Sequence, residues 1–289
     1  MEIAEALILG SAELGQVAAI DHPRNLDPGL LRACAAVVEP DHGVGHNGSV
    51  DNALPPARPR QKYTGDGLRM REVLSYSRRG GRFTPSQQQS WDEHHRDWVV
   101  PDDAVDDPTF SWAEIFGREA PRIVEIGSGV GEATAVLAAE RPAYDIVALE
   151  VWRPGVAHSL GLIAEAGAKN VRLLSVDAVW CLEQLFDPGG LEEIWTFFPD
   201  PWPKKRHHKR RLVNAEFAAL AASRLRPGGV WRLATDWTHY ADQMCVVIDA
   251  EPLLEGGPAE RWTDRPVTKF ERKGLDAGRG IVDLTCRKV

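Results

Sequence analysis

RIVEIGSGVGEATAVLAAERPAYDIVALE, residues 122–150, decides the fold of this chain. RIVEI is a short apolar run that ends in glycines, and GEATAVLAAERP continues at helical spacing, so a strand, a turn and a helix follow one another. DIVALE is the next strand. The alternation then repeats: RPGVAHSLGLIAEAG reads as a helix, VRLLSV as a strand, AVWCLEQLF as a helix and LEEIWTFF as a strand. This predicts an α/β domain with a doubly wound, mostly parallel sheet and helices on both faces, because each parallel crossover returns through a helix. Further on, Val213, Phe217 and Leu220 fall at i, i+4 and i+7, RPGG at residues 226–229 closes that helix, and VWRLAT is a fifth strand. YADQMCVVIDA is another amphipathic helix, and the closing GIVDLTCRKV alternates like a final strand that pairs antiparallel at the sheet's edge.

At 289 residues the chain has room for one full domain with attachments, or for two small ones. Hydrophobic residues make up 43% and charged residues 26%, a globular composition that excludes collagen, coiled coil and mucin-like stalk. No window approaches the roughly 18 uninterrupted apolar residues of a spanning helix. Glu2 and Glu5 stand where a signal peptide carries positive charge, so the expectation is a cytoplasmic protein with no membrane segment. Cys34, Cys181, Cys245 and Cys286 make no CxxC pair, so no metal site and no disulfide framework are expected.

Residues 1–60, with HPRNLDPG, EPDHGVGHNGSVDN and ALPPARPRQ, read as a flexible N-terminal tail. Residues 61–120 read as a basic arm and lead-in, and residues 121–289 as the regular domain. In the arm, Arg69, Arg71, Arg78, Arg79 and Arg82 surround Tyr76, a pattern that suits a solvated helix and turn as well as an RNA-contacting arm. A formal charge of -8 excludes a protein that coats nucleic acid with its whole surface. A local basic site is nevertheless plain in KKRHHKRR, residues 204–211, where six of eight residues are Lys or Arg.

EIGSGVG sits at the strand-to-helix turn where a doubly wound sheet binds its ligand, and Gly127, Gly129 and Gly131 permit a tight backbone and close ligand approach. The carboxylates choose between cofactors. Glu150 ends the next strand, where it can accept from both hydroxyls of a ribose, which suits NAD and S-adenosylmethionine equally. Glu125 lies at the loop's entrance, where it would repel a diphosphate and attract an ammonium. Asp177 follows the third strand, placed to accept from an adenine amino group. Such a crevice suits a cationic cofactor without phosphates.

FFPDPWPKKRHHKRR, residues 197–211, is the most specific feature. Pro199, Pro201 and Pro203 stiffen the loop and hold Asp200 at the carboxyl end of the sheet, while Phe198 and Trp202 can offer flat faces to a base. Lys204, Lys205, Arg206, Lys209, Arg210 and Arg211 are expected to face a polyanion. Asp236 in TDW lies on the same rim, as a helix cap or as a substrate contact, and RPVTKFERKG returns late with Lys269, Arg272 and Lys273.

Taken together, these residues resemble the bacterial tRNA (guanine-N7-)-methyltransferase family, the TrmB type. The likeness covers residues 76–289, with EIGSGVG, LEV, DA, FPDPWPKKRHHKRR, ATDW and RPVTKFE in order. Phe197 stands where many members carry Asn. The resemblance implies a Rossmann-like class I methyltransferase fold over residues 121–289 and no metal. It implies that Glu125, Gly127, Gly129, Gly131, Glu150, Asp177 and Asp200 bind S-adenosylmethionine, with Asp200 also the catalytic residue. It further implies that Lys204, Asp236, Thr268, Lys269, Phe270 and Glu271 bind tRNA, and that a methyl group passes to N7 of the variable-loop guanine 46. Two other readings are an RNA-binding module on this fold that no longer turns over and an NAD-dependent oxidoreductase. The intact carboxylates speak against the first and Glu125 against the second.

Overall fold

The computed structural model describes residues 62–63, 69–70, 73–77 and 80–289, so the tail expected over residues 1–60 lies outside the described residues, as do Arg71, Arg78 and Arg79. Its main sheet holds β1 (Arg122–Ile126), β2 (Asp145–Leu149), β3 (Val171–Leu174), β4 (Leu191–Phe197), β5 (Leu225–Thr235), β6 (Leu254–Ala259) and β7 (Val282–Lys288). The order across the sheet is β3-β2-β1-β4-β5-β7-β6, with β1 to β5 parallel. The helices are α1 (Pro85–Trp98), α2 (Trp112–Phe116), α3 (Glu132–Glu140), α4 (Arg153–Glu165), α5 (Ala178–Leu185), α6 (Ala215–Arg224), α7 (Thr238–Ala250) and α8 (Lys269–Asp276). β1 and β4 are neighbours from which the chain leaves in opposite directions. Their following loops therefore part and open a crevice at the carboxyl edge of the sheet.

The central strands read as continuous apolar runs because helices cover both their faces. Ile146, Val147, Ala148 and Leu149 of β2 are all buried, and Leu137 of α3 with Leu160 and Ile163 of α4 share one core cluster with Ile146 and Ala148. Each large aliphatic side chain so buried contributes about 1.5–3 kcal/mol.

Three boundaries differ from the sequence expectation. The last strand is antiparallel, as expected, and pairs with β5 from Val230↔Arg287 to Thr235↔Val282, but β6 pairs outside it and forms the margin. LEGGPA carries no strand signal. Gly256 is needed there because a Cβ would lie 2.3 Å from the Thr285 carbonyl oxygen, and Pro258 is tolerated on an edge strand. RPGG does not close a helix. α6 ends at Arg224, and residues 226–229 bulge from β5 between the pairs Leu191↔Leu225 and Glu193↔Val230. Finally, the packed body begins well before Pro121. α1, opened by a Thr84–Gln87 capping box, is tied to α4 by the Gln87 side-chain amide donating to the Pro154 carbonyl at 2.9 Å, while Val100, Val105 and Trp112 are buried. Among the described residues no helix is long and apolar enough to cross a membrane.

Candidate active site

The glycine loop leaves β1 with Gly127, Gly129 and Gly131 all at positive φ, 75°, 62° and 83°. Glu150, at the end of β2, grips this loop: its Oε2 accepts from the Gly129 amide at 2.8 Å and its Oε1 from the Trp152 amide at 2.7 Å. Gly131 does a different job from its two neighbours. A Cβ there would lie 2.4 Å from Ser159 Oγ and 2.9 Å from Ser159 Cα, so this glycine lets α3 and α4 approach, and it is not part of the cleft lining. Gly155, missed from the sequence, is as constrained, since its Cβ would lie 2.2 Å from the Gly129 carbonyl oxygen. A glycine inside a helical pattern was its only signal.

The cleft between the two loops is lined by Glu125, Gly127, Ser128, Gly129, Glu132, Glu150 and Asp200, with Ile126, Leu149, Val176, Phe198 and Phe270 as apolar walls. Glu125 is buried and accepts from the Thr134 hydroxyl at 2.5 Å. Burial pushes its carboxyl up to about 7, the Thr134 bond works against this rise, and the Glu150 charge adds to it. The buried Ser128 hydroxyl has no hydrogen-bond partner among the described residues. Two carboxylates, an unsatisfied hydroxyl and apolar walls at a glycine loop fit a cationic adenosyl cofactor. Asp177 stands behind this wall. It is buried and caps α5 by accepting from the Val179 amide at 3.0 Å, while its neighbours Val176 and Ala178 line the cleft.

The loop after β4 is strained. Phe198 and Trp202 are non-glycine residues at φ 52° and 42°, a conformation costing about 1–3 kcal/mol each unless the surroundings enforce it. The Phe198 amide donates to the Ala234 carbonyl at 2.8 Å, and the Trp202 indole N–H donates to the Ser75 carbonyl at 3.0 Å. Asp200 lines the cleft, and its Oδ2 accepts from the Ser77 amide at 2.8 Å. Ser75, Tyr76 and Ser77 therefore form part of the cleft wall, and the Trp152 indole N–H holds the chain farther on by donating to the Gly80 carbonyl at 2.9 Å. The sequence reading assigned this segment to a basic arm. It docks through backbone groups, which leave no periodicity to read.

The basic run divides. Lys204, Lys205, Arg206 and Lys209 are exposed. Arg210 is half-buried, with its guanidinium 3.5 Å from the centre of the Trp202 ring, so Trp202 does not present that face to a base as expected. Arg211 is buried. Its Nε donates to the Pro201 carbonyl at 2.8 Å, its Nη1 donates to Gln243 Oε1 at 2.7 Å, and it lies over the Tyr240 ring. The expectation that both arginines face a polyanion is thus corrected: tertiary partners have turned them inward.

α8 closes the cleft's far side. Thr268, its N-cap, and Phe270 line the cleft, and Lys269 is exposed. The Lys269 amide donates to the Glu132 carboxylate, which also pairs with Arg272 at 3.3 Å. Glu271 is not available to a substrate. It is 2% exposed and is engaged by Arg261 at 3.0 Å and by Arg265 at 2.6 Å, the latter also paired with Asp283 at 3.0 Å. Asp236 pairs with Arg279 at 2.7 Å, and α7 begins after Trp237 with no side-chain cap, so the cap reading of Asp236 fails. Phe197 packs its ring against Trp195 and Trp262 instead of offering a polar contact.

Residues 119–284, more than half of the chain, match the family model described as "Putative methyltransferase". A tRNA (guanine-N(7)-)-methyltransferase of a Nocardioides species is 65% identical over 233 residues, covering 81% of this chain and 94% of that protein. The tRNA (guanine-N(7)-)-methyltransferase of Cutibacterium acnes is 48% identical over 239 residues, 78% of this chain and 86% of its own length. That of Paraburkholderia xenovorans is 46% identical over 226 residues, with 77% and 86% covered.

Proposed function

We propose that this chain, which belongs to the tRNA (guanine-N(7)-)-methyltransferase family, transfers a methyl group from S-adenosylmethionine to N7 of the variable-loop guanine 46 of tRNA, forming 7-methylguanosine. The observation that carries the reading is a single cleft at the β1/β4 switch point that joins Glu125, Glu150 and the Gly127–Gly129 turn to Asp200, with the exposed cations Lys204, Lys205, Arg206 and Lys209 on Asp200's own loop.

S-adenosylmethionine, when bound, supplies an activated methyl group on a sulfonium. In this reading Glu125 receives the cofactor's ammonium, Glu150 its ribose hydroxyls, and the Gly127 and Gly129 backbone lets it approach closely. Asp177 acts through the α5 N-terminus that it caps. Guanine N7 has an in-plane lone pair and no proton, so no general base is required and positioning supplies most of the rate. Asp200 accepts from the base's N1–H and amino hydrogens and favours the positive charge that the purine gains. Phe198, Thr268 and Phe270 wall the base in, Lys269 and the exposed cations take phosphates, and Asp236 holds the turn after α8 through Arg279. In this reading the chemistry does not need residues 1–60, and a tRNA substrate supports a cytoplasmic location.

Transfer of labelled methyl from S-adenosylmethionine to bulk tRNA, followed by mapping of 7-methylguanosine, tests the reading. Label at guanine 46 is expected. Binding of tRNA without transfer, or label at another atom or position, sinks it.

A further inference from the structure

Arg210 ends the 3₁₀ helix Lys205–Arg210, inside the run that the sequence marks as phosphate-binding, yet its guanidinium is engaged by an aromatic ring and two backbone carbonyls. Its guanidinium lies flat enough on Trp202 to place Cζ 3.5 Å from the ring centre. Its Nε donates to the Leu74 carbonyl at 2.9 Å and its Nη2 to the Tyr76 carbonyl at 3.1 Å. The carbonyl between these two, that of Ser75, accepts from the Trp202 indole N–H at 3.0 Å. Three consecutive carbonyls are therefore held by one stacked pair of side chains. The next amide along, Ser77, donates to Asp200 Oδ2 at 2.8 Å.

These contacts close a ring. Arg210 grips the backbone of residues 74–76, Ser77 passes that placement to Asp200, and Asp200 lies two residues before the Trp202 on which Arg210 rests. The ring also explains how Trp202 keeps its φ of 42°, since both its indole N–H and its ring face are committed. To grip a phosphate in a bidentate fork with its Nε–Nη2 edge, Arg210 would have to leave two carbonyls. Lys209, one residue earlier, is exposed and faces no such cost.

We propose that Arg210 is a positioning residue for methyl transfer, holding the backbone of residues 74–77 so that the Ser77 amide fixes the Asp200 carboxylate. The inference rests on the proposed function for the role of Asp200. A carboxylate displaced by about 1 Å can cost on the order of a hundredfold in rate, so the effect belongs to turnover and not to RNA affinity. Lysine is no substitute, because an ammonium cannot span two carbonyls in a planar fork or stack on an indole.

The test uses the full chain with Arg210→Ala and Arg210→Lys, and Lys209→Ala as a comparator for salt dependence. The measurements are kcat at saturating tRNA and cofactor, cofactor affinity, tRNA affinity over a salt series, and amide exchange of residues 74–77. Arg210→Ala should lower kcat by about ten- to a hundredfold, with Arg210→Lys between it and wild type. Cofactor affinity and the salt slope should stay as in wild type, whereas Lys209→Ala should lower the slope by about 0.7 to 0.9. Exchange at residues 74–77 should speed up in Arg210→Ala. The proposal is overturned if Arg210→Ala lowers the slope as Lys209→Ala does, if Arg210→Lys turns over like wild type, or if cofactor affinity falls together with kcat. Unchanged exchange overturns it regardless of activity, whereas a wild-type chain that fails to methylate tRNA overturns the proposed function instead.

Discussion

Glu125 makes cofactor binding a proton-linked event. Its carboxyl is buried in the free chain and titrates near 7, pushed up chiefly by desolvation. To receive an ammonium it must be ionised, so below pH 7 the protein has to release a proton as the cofactor binds. With a pKa of about 7 the ionised fraction falls from about one half at pH 7 to about one hundredth at pH 5. Affinity should therefore drop about fiftyfold, or about 2.3 kcal/mol, over those two units. The cofactor's own α-amino group loses its proton near about 7.7–8.0, so affinity should fall again above that range and peak in between. The same group bears on stability. A pKa raised in the folded state from 4.5 to about 7 means that the fold keeps a proton which the unfolded chain releases, so its contribution is full below 4.5 and is lost as pH rises to 7. The loss amounts to about 3 kcal/mol, and Glu125→Gln should raise Tm more at pH 8 than at pH 5. Calorimetry in buffers of differing ionisation enthalpy should find about one proton released per cofactor near pH 5.5 in wild type and none from this position in Glu125→Gln. A flat affinity between pH 5 and 7, or the same slope in the Gln variant, would refute the reasoning.

Four other outcomes are expected. Asp200→Ala should abolish most methyl incorporation at saturating tRNA while leaving tRNA affinity intact or slightly better, because a negative charge leaves the cleft; a variant with near-normal incorporation removes Asp200 from the reaction. Replacing Lys204, Lys205, Arg206 and Lys209 with Ala should flatten the salt dependence of tRNA binding by up to about three units. Arg211→Ala should instead cost about 2–4 kcal/mol in urea denaturation and leave the slope alone, since it breaks buried hydrogen bonds and packing on Tyr240; the reverse pattern defeats this division of the run. Deleting residues 1–59 should leave Tm nearly unchanged, and an unfolded product would mean that the tail belongs to the body.

What the sequence made legible is what depends on neighbours within one element. The strand-to-helix turn at EIGSGVG needs glycines where φ is positive, and carboxylates at strand ends necessarily reach the carboxyl edge of a parallel sheet. Glu125, Glu150 and Asp200 therefore meet in the cleft as expected, because the positions of their strands fix where they must lie. The misreadings share a different physical origin. Whether a cation in KKRHHKRR meets water or protein depends on Tyr240 and Gln243 for Arg211, and on the backbone of residues 74–76 for Arg210, partners far away in sequence. Glu271 looks like a surface acid on a charged helix until Arg261 and Arg265 fold over it. Gly131 looks like its two neighbours until Ser159 of another helix arrives against it. The stretch over residues 73–77 is the extreme case, since it joins the cleft through its own amides and carbonyls, which every residue possesses. A backbone-docked wall leaves its trace in the residues that grip it, and in this chain those are a tryptophan with positive φ and an arginine that the charge pattern alone would send to solvent.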